Sequence, residues 1–366
     1  MRALRVLLII GVVGGLVGAG CGGAAGSGRG AGSERTEAPA ASAPAGEAPR
    51  TPPQALIPVQ ASFSAFAMSQ SPIAIAQEGG YFREEGLDVT ITSILSSAQN
   101  TAALLTGEVD VSTIGGIGPI RARLGGSDLV LIGATKPYFA GAIVARPEIT
   151  SPAELRGKRI GITARGGNTD LMARAVLPRF GLDPDRDVLL FPTGGDAETV
   201  AALVSGNIEA GSITPPGDEQ ARNLGFPNLI DITAARIPYP AAALGTAGQT
   251  MATRPDVLER YLRAYAKAVH RYINDKEFAL AVAAKFLRSD DPAANEQAYE
   301  LERSLMQPDL DLPLAAIQST LDLIKADDPR AATARPEEFV DLRLVRKLQQ
   351  SGFFAQLAAG QAAPAR

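Results

Sequence analysis

A two-lobed α/β fold is what the sequence predicts, and three observations carry it. Short aliphatic runs that read as strands alternate with helical segments from Leu56 to Ala247. The alternation restarts at Thr150, which makes two α/β halves rather than one. Beyond Pro255 the pattern turns wholly helical, in a chain whose 366 residues suit two compact bodies better than one.

The stretch SPIAIAQEGGYFREEGLDVTI (residues 71–91) shows the repeating unit most plainly. Ser71 is placed to cap a helix, and Pro72 suits the first helical position, where no amide donor is needed. Gly79 and Gly80 offer the left-handed backbone that ends helices, and Tyr81 and Phe82 tuck apolar mass under the exit. Gly86 turns the chain, after which Leu87, Val89 and Ile91 alternate like a half-buried strand.

The other elements follow in order. A strand at 56–62 precedes the polar loop 64–70 that leads into this unit. Ser96 and Gln99 form a capping box for a helix to Thr106, and a strand at 109–114 runs into the glycine turn GGIGP (115–119). Strands follow at 128–135 and 140–145. In the second half SPAE (151–154) starts a helix, 159–163 is a strand, and a helix runs from the turn at 164–170 to Phe180. Strands at 187–193 and 209–214 flank a helix that Asp196 can cap, and Pro215-Pro216 stops the second of them. Strands at 229–236 and 239–247 hand over to helices at 256–287, 293–306, 314–325 and 337–350.

Composition removes whole classes of function. A net charge of −4 gives no electrostatic case for nucleic acid or an anionic membrane surface. A single Cys excludes an internal disulfide framework and a Cys-cluster metal site. A single His, His270, disfavours His metal ligation and a Ser-His or Cys-His couple. Glu84 and Glu85 fall in a turn that reads as solvated, so no acid/base dyad stands out, and no catalytic residue, metal or cofactor is expected.

Residues 1–20 carry Arg2 and Arg5 ahead of an apolar, glycine-interrupted run, the grammar of an export signal. Cys21 stands where that run ends and resembles the lipidated Cys of a bacterial lipobox, although Gly18 replaces the usual bulky aliphatic residue. Ordinary cleavage just beyond is the alternative. Residues 21–55, rich in Gly, Ala, Ser and Pro, read as a tether to a membrane anchor at the extracytoplasmic face.

Ligands of open α/β sheets sit beyond the carboxyl ends of strands. Here those junctions read Ser69-Gln70-Ser71, Gly115-Gly116, 165–169 and 194–196, each a set of small residues at a helix start. Small residues admit a ligand to backbone amides, and helix starts favour anionic or hydrogen-bonding groups. The same residues also serve as plain turn and cap chemistry. No nucleotide fingerprint is present: Gly115-Gly-Ile-Gly118 lacks the dinucleotide spacing and no Walker Lys-Ser/Thr pair follows.

The motifs PIAIA (72–76), GYF (80–82) and EGLDV (85–89) resemble the opening signature of nitrate/sulfonate/taurine-type (NitT/TauT) substrate-binding proteins of ABC importers, a family that includes thiamine-pyrimidine-precursor binders. ALLTGEVDV (103–111), ELRGKRIG (154–161), LVSGNIEA (203–210), IPYP (237–240) and FVD (339–341) resemble further family segments, with Glu209 in place of the usual Asp. The resemblance spans 56–354. It implies the type II periplasmic-binding-protein fold, with lobe one at 56–140 plus 241–366, lobe two at 141–240, and crossing segments near 141–146 and 238–244. By position it implies ligand contacts from Ser64, Met68, Ser69, Thr113, Gly115, Gly116, Lys136, Tyr138, Arg165, Gly167, Asn168, Thr169, Thr214 and Tyr239. Lys136 and Arg165 are the candidates to meet an anion; a solvated surface cation is the competing reading of each.

The function so implied is capture of a small anionic or polar organic molecule by a monomeric, exported, lipid-anchored protein that hands it to an ABC permease. Two alternatives remain open: a ligand sensor for a membrane signalling partner, and an enzyme of the thiamine-pyrimidine type. The sequence does not choose the ligand among nitrate, sulfonates, aromatic acids and pyrimidines.

Overall fold

The computed structural model describes residues 55–95 and 97–360. The export signal, Cys21 and its tether lie outside the described residues, as does Ser96 of the expected capping box. The chain opens with β1 (Ile57–Phe63), a 3-10 turn at Met68–Gln70, α1 (Pro72–Glu78), α2 (Tyr81–Glu84) and β2 (Leu87–Ser93). It continues through α3 (Ser97–Thr106), β3 (Val111–Ile114), α4 (Ile117–Leu124) and β4 (Val130–Tyr138). Next come β5 (Ala142–Ala145), β6 (Arg159–Ile162), α5 (Asn168–Val176), β7 (Leu189–Pro192) and α6 (Asp196–Val204). Then β8 (Ala210–Ile213), α7 (Gly217–Asn223) and β9 (Asn228–Asp231) precede the long β10 (Pro238–Thr246). Helices close the chain: α8 (Gly248–Thr253), α9 (Pro255–Asn274), α10 (Lys276–Leu287), α11 (Pro292–Leu305), α12 (Leu314–Ile324), α13 (Arg343–Gln350) and α14 (Phe353–Ala358).

The opening unit forms largely as its residues dictate. Pro72 takes the first position of α1, Gly80 is left-handed at φ 75°, and Tyr81 and Phe82 are buried beneath α9. Two details differ. Ser71 already has helical backbone angles, so its hydroxyl donates to the Met68 carbonyl at 2.8 Å instead of capping α1. Glu84 and Glu85 are not simply solvated: Lys267 reaches both carboxylates, at 3.1 and 2.6 Å, and Arg263 holds Glu85 at 3.0 Å, which ties α2 to α9.

Three other expectations are corrected. The long helix expected at 256–287 breaks at Asp275, whose carboxylate accepts the Phe278 amide at 3.1 Å and starts α10. The helix expected from 337 begins only at Arg343, because Val340 is extended and bridges to Leu131. Asp196 does not cap α6; Gly195 is the extended residue there, and Asp196 is the first residue of the helix.

Two five-stranded mixed sheets result, ordered β2-β1-β3-β10-β4 and β7-β6-β8-β5-β9. In the first, β10 is antiparallel to β3 and β4; in the second, β5 is antiparallel to β8 and β9. Helix α9 lies over the first sheet and buries Tyr261, Tyr265 and Tyr272 completely, each burial contributing about 1.5–3 kcal/mol. A second buried cluster is shared: Leu131 and Ala243 of the first sheet join Ile143 and Ile160 of the second, with Ile317 and Leu321 of α12 between. Among the described residues no helix is long and apolar enough to cross a membrane.

The chain passes between the sheets twice, from Tyr138 to Ala142 and from Asp231 to Pro238. Phe139 of the first passage stacks on Tyr239, just past the second, with ring centroids 3.9 Å apart and 10° between planes. Gly141 takes φ 138°, and a Cβ there would fall 2.2 Å from the Ile213 carbonyl oxygen. Replacing Gly141 by Ala therefore meets both a backbone conformation that side chains avoid and a clash with fixed backbone. The expected cost is about 3 kcal/mol or more in chemical denaturation; an unchanged midpoint would show that this passage is not constrained as described.

Candidate functional site

The two sheets present the same edge to each other. Strand β4 ends at Tyr138 and β5 begins at Ala142, so those strand ends lie within about 14 Å even along a fully extended chain. Ala142 pairs with Ile213, the last residue of β8, so this is the carboxyl edge of the second sheet. Pro238 at the start of β10 pairs with Tyr138 at the end of β4, so the second passage leaves and enters by the same edges. All the strand-to-helix turns flagged in the sequence lie on these edges.

On the first sheet's edge, Ser64 follows β1 and is held by Gln70. The Gln70 side-chain oxygen accepts the Ser64 and Ala65 amides at 2.9 and 3.2 Å, and its nitrogen donates to the Ser64 hydroxyl at 3.1 Å. Ser69 is buried, and Met68 is part of the hydrophobic core. Thr113 is engaged by packing chemistry, its hydroxyl sharing a 3.1 Å hydrogen bond with the Tyr265 hydroxyl on α9. The Gly116 amide donates to the Pro240 carbonyl at 2.8 Å, and Pro240 fills the space a Gly116 side chain would need. The Tyr239 ring is buried against Phe139; its hydroxyl faces Gly115, is sealed from solvent and has no partner in good hydrogen-bond geometry. Burial raises the pKa of that phenol, with the Ile117 amide and the Arg121 charge acting the other way. Tyr138 is half-buried under the Arg236 guanidinium, 5.7 Å from its ring centroid.

The two cations expected to meet an anion are both engaged within the protein. Lys136 is 5% exposed, and its ammonium lies 2.5 Å from the Glu302 carboxylate, itself 1% exposed. Loss of either partner would leave a buried charge, typically a cost of about 3–5 kcal/mol. Arg165 is exposed and donates to the Leu190 carbonyl at 3.2 Å. The structure does not bring them together: Lys136 is on β4, an edge strand of its sheet, and Arg165 folds back onto β7, an edge strand of the other.

On the second sheet's edge, Gly167 is the extended residue that opens α5. Thr169 is buried; its hydroxyl accepts the Thr163 amide at 2.8 Å and pairs with the Thr163 hydroxyl at 2.9 Å, locking the turn after β6. Asn168 lies between them with its side-chain oxygen sealed from solvent and unpartnered. Thr214, after β8, donates its hydroxyl to Asp196 Oδ2.

Asp196 and Asp218 form a feature that sequence reasoning missed. Asp196 is half-buried as a residue, but its Oδ1 is closed off from solvent and accepts no hydrogen bond. Burial pushes its carboxyl up to about 6. Asp218, in the first turn of α7, is 3% exposed; burial, reinforced by the Glu219 and Asp196 charges, pushes it up to about 7. The sequence flagged Asp196 in the 194–196 turn and as a helix cap; for Asp218 the signal was an acidic pair, Asp218-Glu219, directly after a strand-ending Pro-Pro. Glu302 had no local signal, since its partner Lys136 is 166 residues away.

Among the described residues a concavity of about 600 Å³ is lined by Arg83, Glu84, Glu85, Asp256, Glu259 and Arg260 among others. It lies at the amino edge of the first sheet, beside Leu56 and Gly86, where no strand-to-helix turn converges. Its acids are tied to neighbouring bases, Glu85 to Arg263 and Glu259 to Lys347 at 2.6 Å. The facing carboxyl edges, with several sealed and unsatisfied polar groups, are the better candidate site.

Known proteins resemble this chain on the same terms. A binding protein of Brucella abortus is 26% identical over 239 residues, 64% of this chain and 73% of that protein. The 4-amino-5-hydroxymethyl-2-methylpyrimidine phosphate synthase of Schizosaccharomyces pombe is 29% identical over 142 residues, 38% of this chain and 40% of the synthase. The crystal structure of the periplasmic aliphatic sulphonate binding protein SsuA from Escherichia coli superposes with a TM-score of 0.66 at 19% identity, covering 78% of this chain and 92% of that one. That likeness gives the periplasmic-binding-protein fold expected from the motifs. The family model described as NMT1/THI5 like matches residues 68–279, more than half of the chain, and the protein belongs to that family.

Proposed function

We propose that this protein is an exported solute-binding lipoprotein that holds one small polar organic molecule between its two sheets and presents it to an ABC importer. The observation that supports this most is the meeting of two carboxyl edges at a double passage of the chain, the arrangement in which lobes close over a ligand. Lobe one would be residues 56–140 plus 241–366 and lobe two 141–240, with the Phe139–Tyr239 stack at the hinge. Contacts would come from the turns holding Ser64, Ser69, Gly115, Gly116, Asn168 and Thr214, of which Ser64, Gly115, Asn168 and Thr214 are partly exposed. The binding-protein names of the relatives support capture rather than turnover. The synthase likeness covers less than half of either protein, and product formation from a bound compound would replace this reading.

Protein purified from its own host, electrosprayed under native conditions, is expected to carry one small molecule per chain. Removing that molecule by partial unfolding should lower Tm, and returning it at about a hundredfold excess over Kd should restore about 2.7 kcal/mol. Protein that never carries a molecule, and that no metabolite mixture stabilises, would refute capture. Substituting Cys21→Ser should move the protein from the membrane fraction to the soluble extracytoplasmic fraction; unchanged membrane retention would refute the anchor.

A further inference from the structure

On the second sheet's edge the candidate site leaves acceptor oxygens unsatisfied. Asp196 Oδ2 takes the Thr214 hydroxyl, while Oδ1 takes nothing. One oxygen of Asp218 accepts the neighbouring Glu219 amide at 3.0 Å. Among the described residues neither carboxylate has a salt-bridge partner; the charges that weigh most on them are Glu198 on Asp196, and Glu219 and Asp196 on Asp218. Glu219 itself is taken by Arg222, which also reaches Gln297 of α11 at 3.4 Å.

Helix α11 reaches α7 through Gln297. The sealed and unsatisfied side-chain atoms on α5 and α6, Asn168 Oδ1 and Asp196 Oδ1, are acceptor oxygens. Natural buried carboxylates are paired or hydrogen-bonded. Lys136 is already neutralised by Glu302, which leaves Asp196 and Asp218 as the uncompensated charges.

Resting on the solute-binding reading above, we propose that the solute is a small organic cation carrying N–H donors, such as a primary amine, amidinium or guanidinium, seated on Asp196 and Asp218. Charge-assisted hydrogen bonds of this kind are the strong ones in a water-poor site. The unliganded protein then bears a cost that the ligand removes. The folded-state pKa values of about 6 and about 7 lie above the ordinary 3.8. The folded state therefore binds more protons than the unfolded one between those values, and stability falls as pH rises from about 4 to about 7. A cation reverses this, so its binding should tighten over the same rise. The other groups near the pair are Glu198 on α6, Glu219 on α7, and Arg222, which is held by Glu219 and reaches Gln297 of α11.

The test uses the mature protein stripped of bound solute, with thermal shift and titration calorimetry at about pH 5.5 and about pH 8. The probes are a panel of amines, amidines and guanidines led by agmatine, putrescine and benzamidine, against ethanesulfonate and nitrate. A cation is expected to raise Tm and bind several-fold more tightly at the higher pH, and the anions should do neither. Asp218→Asn and Asp196→Asn should each weaken the cation about tenfold or more. The same substitutions should raise the Tm of the unliganded protein at the higher pH, a gain that a misfolded variant would not give. Binding of an anion without any cation, affinity unchanged in both Asn variants, or no response to the cation panel would overturn the inference. The co-purified molecule judges capture itself separately: an anion bound one per chain would sink the cation and leave the solute-binding reading intact.

Discussion

Everything in this molecule hangs on two short passages of chain between two sheets. Three residues separate β4 from β5 and six separate β9 from β10, too few to let the sheets drift apart. The passages are fastened to each other by the stacked rings of Phe139 and Tyr239, and the first is shaped by Gly141, pressed against the Ile213 carbonyl. Because both passages use carboxyl edges, the turns that follow β1, β3, β6, β7 and β8 are gathered where the two sheets face each other. A parallel strand needs a helical return, and each return begins at that edge. Gathering them is a consequence of topology before any ligand chemistry enters.

What the topology gathers is polar and only partly satisfied. Much of it is braced internally: Gln70 holds the turn after β1, Thr163 and Thr169 lock the turn after β6, and Glu302 neutralises Lys136. The braces explain why these turns keep their shape without a ligand. Against that background Asp196 and Asp218 stand apart, since burial raises both and neither has a salt-bridge partner among the described residues. A stability cost of this sort is what groups kept for binding would carry, as the proposal for this pair requires.

The strands and the opening unit were legible in the sequence because their determinants are local. Aliphatic alternation marks β2, and Pro72 and Gly80 mark the ends of α1 and the turn beyond it. The helix misreadings had one distant cause and one local one. Val340 bridges to Leu131 and delays α13, and Asp275 breaks one apparent helix by capping another. The chemistry of the candidate site was harder to see. Its turns were visible as small residues at strand ends, but charge was not: Lys136 read as free because Glu302 lies in a helix far along the chain. Asp196 read as a cap, a common role for Asp before a helix, whereas Thr214 from the next strand claims its carboxylate. Only folding brings that pair together.

Hydrogen exchange, with and without the molecule that co-purifies with the protein, tests the central claim most directly. The account predicts that added protection appears together at the turns of both sheets, at 64–70 and 115–116 on one and at 165–169 and 214–218 on the other. It predicts no added protection in the groove lined by Arg83 and Arg260. Protection confined to one sheet, or centred on that groove, would contradict binding between the two carboxyl edges.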